Sequence, residues 1–294
     1  MTQAMTTARI ARDLSYASGL PGLRGRLVRT VEALTGRPAL VRRARGYDVE
    51  LASGGDFWEV MAQRYGLSLD LVGRGLADIP REGPLVVVAN HPFGILDGLM
   101  MGHILARARG GDFRILAHQV FGRAPELERV ILPIDFSETP CATRDNVATR
   151  RAALDYLSAG GAVGIFPGGT VSTPAHPFGQ PMDPAWRLFT ARMVLRSRAT
   201  VVPVFFEGAN SRLFHIASHM SYALRMGLLL KEFRARTDRP VRATIGAAIN
   251  PERLAAYAAD PRALMAYLRQ RTYGLSPEPL DWRACGHEFE AHHR

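Results

Sequence analysis

The stretch Pro84–Leu105, PLVVVANHPFGILDGLMMGHIL, ends an apolar run in a histidine and brings an aspartate six positions later. Those two residue types at that separation suit proton transfer. The apolar run reads as a buried strand, so His91 stands at a strand end. Pro92 and Gly94 are turn residues, and Asp97 falls near the start of the next helical pattern. If the chain folds back there, the carboxylate reaches one ring nitrogen, fixes the tautomer and makes the other nitrogen a better base. A base of this kind acting on a hydroxyl contributes about 10²–10⁴ in rate. Each residue alone also has an ordinary structural reading, His91 as a strand-end histidine bonded to backbone and Asp97 as a helix N-cap. No GxSxG elbow occurs and neither cysteine lies near His91 in sequence, so the hydroxyl to be activated is assigned to a substrate.

The elements that must position this pair follow from hydrophobic patterning. Short apolar runs at 84–90, 113–118, 130–136, 162–169, 200–208 and 241–249 read as buried strands, rich in β-branched or aromatic residues. Between them, 97–109, 144–159 and 184–198 carry apolar residues at helical spacing. This alternation predicts an α/β fold: one domain with a largely parallel, mixed sheet covered by helices on both faces. In such sheets, ligands bind in the loops beyond the carboxyl ends of the strands. Before the sheet, residues 22–35 predict an amphipathic basic helix with Leu23, Leu27, Val31 and Leu34 on one face and Arg24, Arg26 and Arg29 elsewhere. Residues 211–236 predict a second long helical tract, and 251–272 one or two helices. The expected organisation is an N-terminal helical, membrane-associating segment (1–69), a catalytic domain (70–250), and C-terminal helices and tail (251–294) packing on that domain.

Composition sets the partners. Of 294 residues, 47% are hydrophobic and 22% charged, which excludes a fibrous or disordered chain. A formal net charge of +10 calls for an acidic partner. Residues 1–50 hold nine Arg against four acids, so half of that excess lies at the start of the chain. No helix-turn-helix, zinc-finger or aromatic RNA-binding signature accompanies it, which argues against nucleic acid and leaves an anionic membrane surface or substrate. Cys141 and Cys285 stand far apart with no CxxC spacing, fitting a reducing cytosol and no cysteine metal site. His215 and His219 have i, i+4 spacing without a third ligand, and no metal is expected. With no signal peptide and no apolar run of about 18 residues, the expected location is cytoplasmic, with contact only at a membrane surface.

The stretch NHPFGILDG resembles the first signature of the glycerolipid and lysophospholipid acyltransferases, an Asn-His followed by an Asp. Three further blocks resemble that family's in order. ILPIDF (131–136) is similar to a hydrophobic strand ending in Asp, and IFPGGTVS (165–172) to the block that usually reads Phe-Pro-Glu-Gly-Thr-Arg-Ser. VVPVFFEGANSRLF (201–214) is similar to a Val-Pro strand. The likeness covers about residues 70–250 and is nearest the bacterial branch of lyso-ornithine-lipid acyltransferases and hemolysin-like proteins.

The resemblance implies an acyltransferase-like fold and transfer of a fatty acyl group from acyl-carrier protein or coenzyme A to a lysolipid hydroxyl. It requires no cofactor beyond the thioester co-substrate. His91 would be the base and Asp97 its orienting partner. Asn90, Gly94, Phe166, Pro167, Gly168, Gly169, Thr170 and Ser172 would form the substrate site, with Arg123 and Arg212 as anion contacts beside the less favoured Arg144. The protein would sit peripherally on the inner face of the plasma membrane. The third block departs from the family, with Gly168 for the usual Glu and Val171 for the usual Arg. That departure argues against lysophosphatidate as acceptor. It also leaves open a catalytically impaired lipid-binding homologue, and a hydrolase using the same base on water stays open beside it.

Overall fold

The computed structural model describes residues 14–19, 22–118, 125–134 and 140–289. Its centre is a sheet of seven strands: β1 (Ser68–Gly73), β2 (Leu85–Ala89), β3 (Arg114–His118), β4 (Ile131–Ile134), β5 (Ala162–Ile165), β6 (Thr200–Phe206) and β7 (Pro240–Ile245), in the order β1-β7-β6-β2-β5-β3-β4. All neighbouring pairs are parallel except β6–β7, so β7 and β1 run against the other five strands. The sheet is therefore mixed but largely parallel, as the strand–helix alternation predicts.

β2 is the middle strand, and every one of its residues is buried. Successive side chains point to opposite faces: Leu85, Val87 and Ala89 enter one core, Val86 and Val88 the other. On the first face pack helices Ile95–Arg109, Tyr222–Arg236, Gly22–Thr35 and Phe57–Arg64; on the second, Pro140–Ser158, Leu188–Ser197 and Pro261–Tyr273. A strand covered on both sides has no polar face to alternate with, which is why VVV reads as a continuous apolar run.

Three features differ from the sequence expectation. β1 was not among the expected strands: it is an edge strand, half-exposed along its length, and so lacks an apolar run. The tract 211–236 is two helices, broken at Ser221, whose extended backbone ends one and whose hydroxyl caps the next. Helix Gly22–Thr35 exists, but Gly25, Val28 and Glu32 are its buried residues. At about 100° per residue, Leu23, Leu27 and Leu34 fall on the opposite side, and they are 81%, 42% and 80% exposed. Glu32 is admitted to the inner side because Ser15 Oγ–H and Tyr16 N–H both donate to its carboxylate. No helix among the described residues is long and apolar enough to cross a membrane.

Candidate active site

Strand order decides which loops meet. β5, β2 and β6 are consecutive and parallel, so the segments after their carboxyl ends lie side by side: 90–94, 166–172 and 207–211. These carry the first, third and fourth blocks of the sequence. The second block begins with β4 itself at the sheet's far edge, and its Asp135 and Phe136 lie outside the described residues, as does Arg123.

The turn after β2 folds back as the His-Asp reading requires. His91 Nδ1 lies 2.9 Å from Asp97 Oδ2, and the same oxygen accepts the N–H groups of Phe93 (2.8 Å) and Gly94 (2.9 Å). The helix starts at Ile95 with Gly94 as its N-cap, so Asp97 does not occupy the cap itself. It binds back to the cap N–H from the third helical position, the acidic half of a capping box. Asp97 is fully buried, and its Oδ1 has no hydrogen-bond partner. Burial pushes its carboxyl above the usual range, while His91 and the two N–H donors oppose that displacement. Gly94 makes the turn possible: φ is +94°, and a Cβ there would stand 3.1 Å from Val171 and 3.2 Å from Leu229. The Phe166 ring stacks on His91 at 4.2 Å between centroids. With Nδ1 held and one ring face covered, Nε2 is the nitrogen that remains for a substrate proton.

The loop of the third block closes the other side. Gly169 N–H bonds to Phe166 O (2.9 Å) within a tight turn at φ +76°, and Pro167 O accepts Arg187 N–H. Thr170 Oγ1 is buried without a partner. Ser172 does not offer its hydroxyl to a ligand in this arrangement. It is buried, its N–H donates to His91 O at 2.7 Å, and its hydroxyl donates to Asp183. Gly168 backs directly on Asp183, where a Cβ would stand 3.0 Å from the Asp183 Cβ. A side chain at 168 would therefore press on Asp183, which would have to give by a few tenths of an ångström.

The fourth block is tied to the first through Asn90: its Nδ2 donates to Phe206 O and its Oδ1 accepts Phe206 N–H, joining the end of β2 to the end of β6. Arg212 is exposed at the first turn of helix Arg212–Met220. The preceding loop is held by Glu232, which accepts from the Ser211 N–H and hydroxyl. Arg236 lies over the Phe93 ring at 4.4 Å and donates to Ala209 O. His215 is buried with neither ring nitrogen bonded, whereas His219 Nε2 lies 3.0 Å from Pro174 O.

Sequence reasoning missed Asp183, Glu232 and Arg225. Asp183 is fully buried and accepts from His91 N–H (3.1 Å), the Ser172 hydroxyl and Trp186 Nε1–H (2.9 Å). Arg225 donates to Val171 O (2.8 Å), Thr173 Oγ1 (2.7 Å) and Ser218 Oγ (3.1 Å), with Phe289 and Phe214 rings against its guanidinium. Burial pushes it down to about 9. An arginine thus comes to residue 171, but to its backbone oxygen. None of the three carries a local signal, since their contacts with His91, Val171, Ser172 and Ser211 span 11 to 92 positions.

A family model described as "Acyltransferase" matches residues 41–281. Lyso-glycine lipid O-acyltransferase of Phocaeicola vulgatus is 27% identical over 171 residues, covering 58% of this chain and 58% of that protein. The protein of the same name from Bacteroides thetaiotaomicron is 26% identical over 171 residues, 58% of this chain and 60% of that one. The chain thus spans less than two-thirds of the length of these curated relatives. Among solved structures, the 1-acyl-sn-glycerophosphate (LPA) acyltransferase PlsC from Thermotoga maritima aligns with a TM-score of 0.47 at 14% identity, over 95% of this chain and 100% of that one.

Proposed function

The chain belongs to the acyltransferase family, and from that premise we propose that it moves a fatty acyl group from a coenzyme A or acyl-carrier-protein thioester to the hydroxyl of a lysolipid, with His91 as general base. The observation that carries the reading is the 2.9 Å contact between His91 Nδ1 and a buried Asp97 oxygen. His91 Nε2 takes the acceptor's hydroxyl proton as the oxygen attacks the thioester carbon. The tetrahedral intermediate then collapses, the C–S bond breaks, and the thiolate leaves and recovers the proton from Nε2. Asp97 holds the reactive tautomer and offsets the charge of the imidazolium.

The acceptor is a lysolipid with an amino-acid headgroup rather than a phosphate monoester. Val171 is 6% exposed at the position where the resemblance expects an arginine, and an unpaired phosphate dianion beside an apolar side chain is costly to desolvate. A single carboxylate, as on glycine or ornithine lipids, lowers that cost, and exposed Arg212 and half-buried Arg236 offer it a cation. The two curated relatives act, by name, on lyso-glycine lipid. Residues 1–69 supply contact with an anionic membrane, where Arg24, Arg26 and Arg29 flank the exposed Leu23, Leu27 and Leu34.

The test is kcat/KM for lyso-glycine lipid, lyso-ornithine lipid and lysophosphatidate with palmitoyl-coenzyme A and with palmitoyl-acyl-carrier protein. Preference for either amino-acid lipid supports the reading. Preference for lysophosphatidate refutes the acceptor assignment, and thioester hydrolysis without a lipid product refutes acyl transfer.

A further inference from the structure

Two carboxylates converge on His91 from different directions. Asp97 holds the imidazole; Asp183 holds the backbone. Asp183 Oδ1 accepts both His91 N–H and the Ser172 hydroxyl, and Ser172 N–H donates to His91 O, so the three residues close a hydrogen-bonded ring that grips His91 at both its N–H and its C=O. Asp183 is itself fixed on every side. Trp186 Nε1–H binds its other oxygen, its N–H donates to Tyr273 OH, and its C=O accepts from Gly286 N–H and the Arg269 guanidinium. No part of Asp183 is exposed. A carboxylate buried this completely, with its acceptors directed at the backbone of a candidate base, does more than fill space. A hydroxyl or amide oxygen could satisfy two of these donors, but only a carboxylate accepts from all three.

We propose that Asp183 is a positioning residue for the transfer reaction, acting through Ser172 and the main chain of His91 to hold Nε2 in line with the acceptor hydroxyl. The inference rests on His91 being the base. Ser172, on this account, serves the ring and not the lipid.

Displacement of a reacting group by about 1 Å costs on the order of 10²-fold in rate. With palmitoyl-coenzyme A or palmitoyl-acyl-carrier protein as donor and lyso-glycine lipid as acceptor, Asp183→Ala should therefore lower kcat by about 10- to 100-fold while both KM values stay within about threefold. Ser172→Ala breaks one side of the ring and should lower kcat by a smaller factor in the same pattern. The double variant Asp183→Asn with Trp186→Phe should regain most of the rate lost in Asp183→Ala. Its amide oxygen can still accept from His91 and Ser172, and the indole donor that would oppose its NH₂ group is gone. Should Asp183→Ala fail to fold, Ser172→Ala and the double variant decide. Unchanged kcat per folded molecule in Asp183→Ala, or in Ser172→Ala where Asp183→Ala does not fold, overturns the positioning role, as does a rise in KM without a fall in kcat. His91→Ala is the control: wild-type turnover in it refutes the base assignment itself, a result separable from the failure of Asp183.

Discussion

His91 Nδ1 lies 2.9 Å from Asp97 Oδ2, and that single oxygen also accepts two backbone N–H groups of the turn between them. One carboxylate oxygen therefore does two things: it holds the N–H groups at the start of a helix and meets the imidazole of the proposed base. The two roles separate under substitution. Asp97→Asn keeps an oxygen for the N–H groups but no longer stabilises an imidazolium, so turnover should fall by about 10²–10⁴-fold with the fold intact. Asp97→Ala should lose the cap as well, with a further loss of about 1 kcal/mol in stability. His91→Ala should abolish transfer. Thioester consumption and urea unfolding on the same preparations check all three.

Gly94→Ala should damage fold and activity together. The residue sits at φ +94°, and its Cβ would press on Val171 of the third block and on Leu229 of helix Tyr222–Arg236. A strained backbone of this kind costs about 1–3 kcal/mol. The midpoint of urea unfolding should drop by a corresponding amount. An unchanged midpoint would mean the turn can relax without disturbing helix Ile95–Arg109.

Stability should decline in acid through His215. Burial, with the Arg225 charge adding to it, lowers this histidine from its ordinary value near 6.5 to about 4. Because the folded-state value is depressed, its contribution is fully present above pH 6.5 and is lost as pH falls toward 4. The loss amounts to about 3 kcal/mol if His215 alone accounts for it. Urea unfolding of the wild type between pH 7.5 and 4.5 should show this decline, and His215→Gln should flatten it. Parallel slopes for the two proteins would transfer the effect to other groups.

Vesicle binding should reside on the outer face of helix Gly22–Thr35. Replacing Leu23, Leu27 and Leu34 by Ser should weaken sedimentation with phosphatidylglycerol vesicles several-fold while leaving unfolding unchanged, since these side chains point away from the packed stripe. High salt should weaken binding of the wild type further, by screening the arginines. Equal sedimentation of variant and wild type at low salt would exclude this helix as the contact.

Much of this protein was legible in order of sequence. The VVV run before His91 announces a strand buried on both faces, because only such a strand lacks a polar side. The Pro-Phe-Gly turn announces a reversal that can return Asp97 to His91, because both ends of that contact lie within six residues. The six apolar runs became six strands for the same local reason. β1 stayed hidden because an edge strand is half-wet, and the long tract 211–236 hid its break because Ser221 is polar in a pattern that tolerates one polar residue per turn.

What the sequence by itself determined was therefore the contact within one turn of chain: a histidine, the carboxylate that meets it and the strand that presents them. The tertiary structure decided what comes to them from elsewhere. Helix Tyr222–Arg236, not the helix's own periodicity, chose which side of Gly22–Thr35 faces in, so that Glu32 is buried and three leucines are outside. The order β5-β2-β6 brought the third block beside the first and left the second at the far edge. Asp183 reached His91 from 92 residues away, because a buried N–H must find an acceptor and only the folded chain determines which acceptor is within 3 Å.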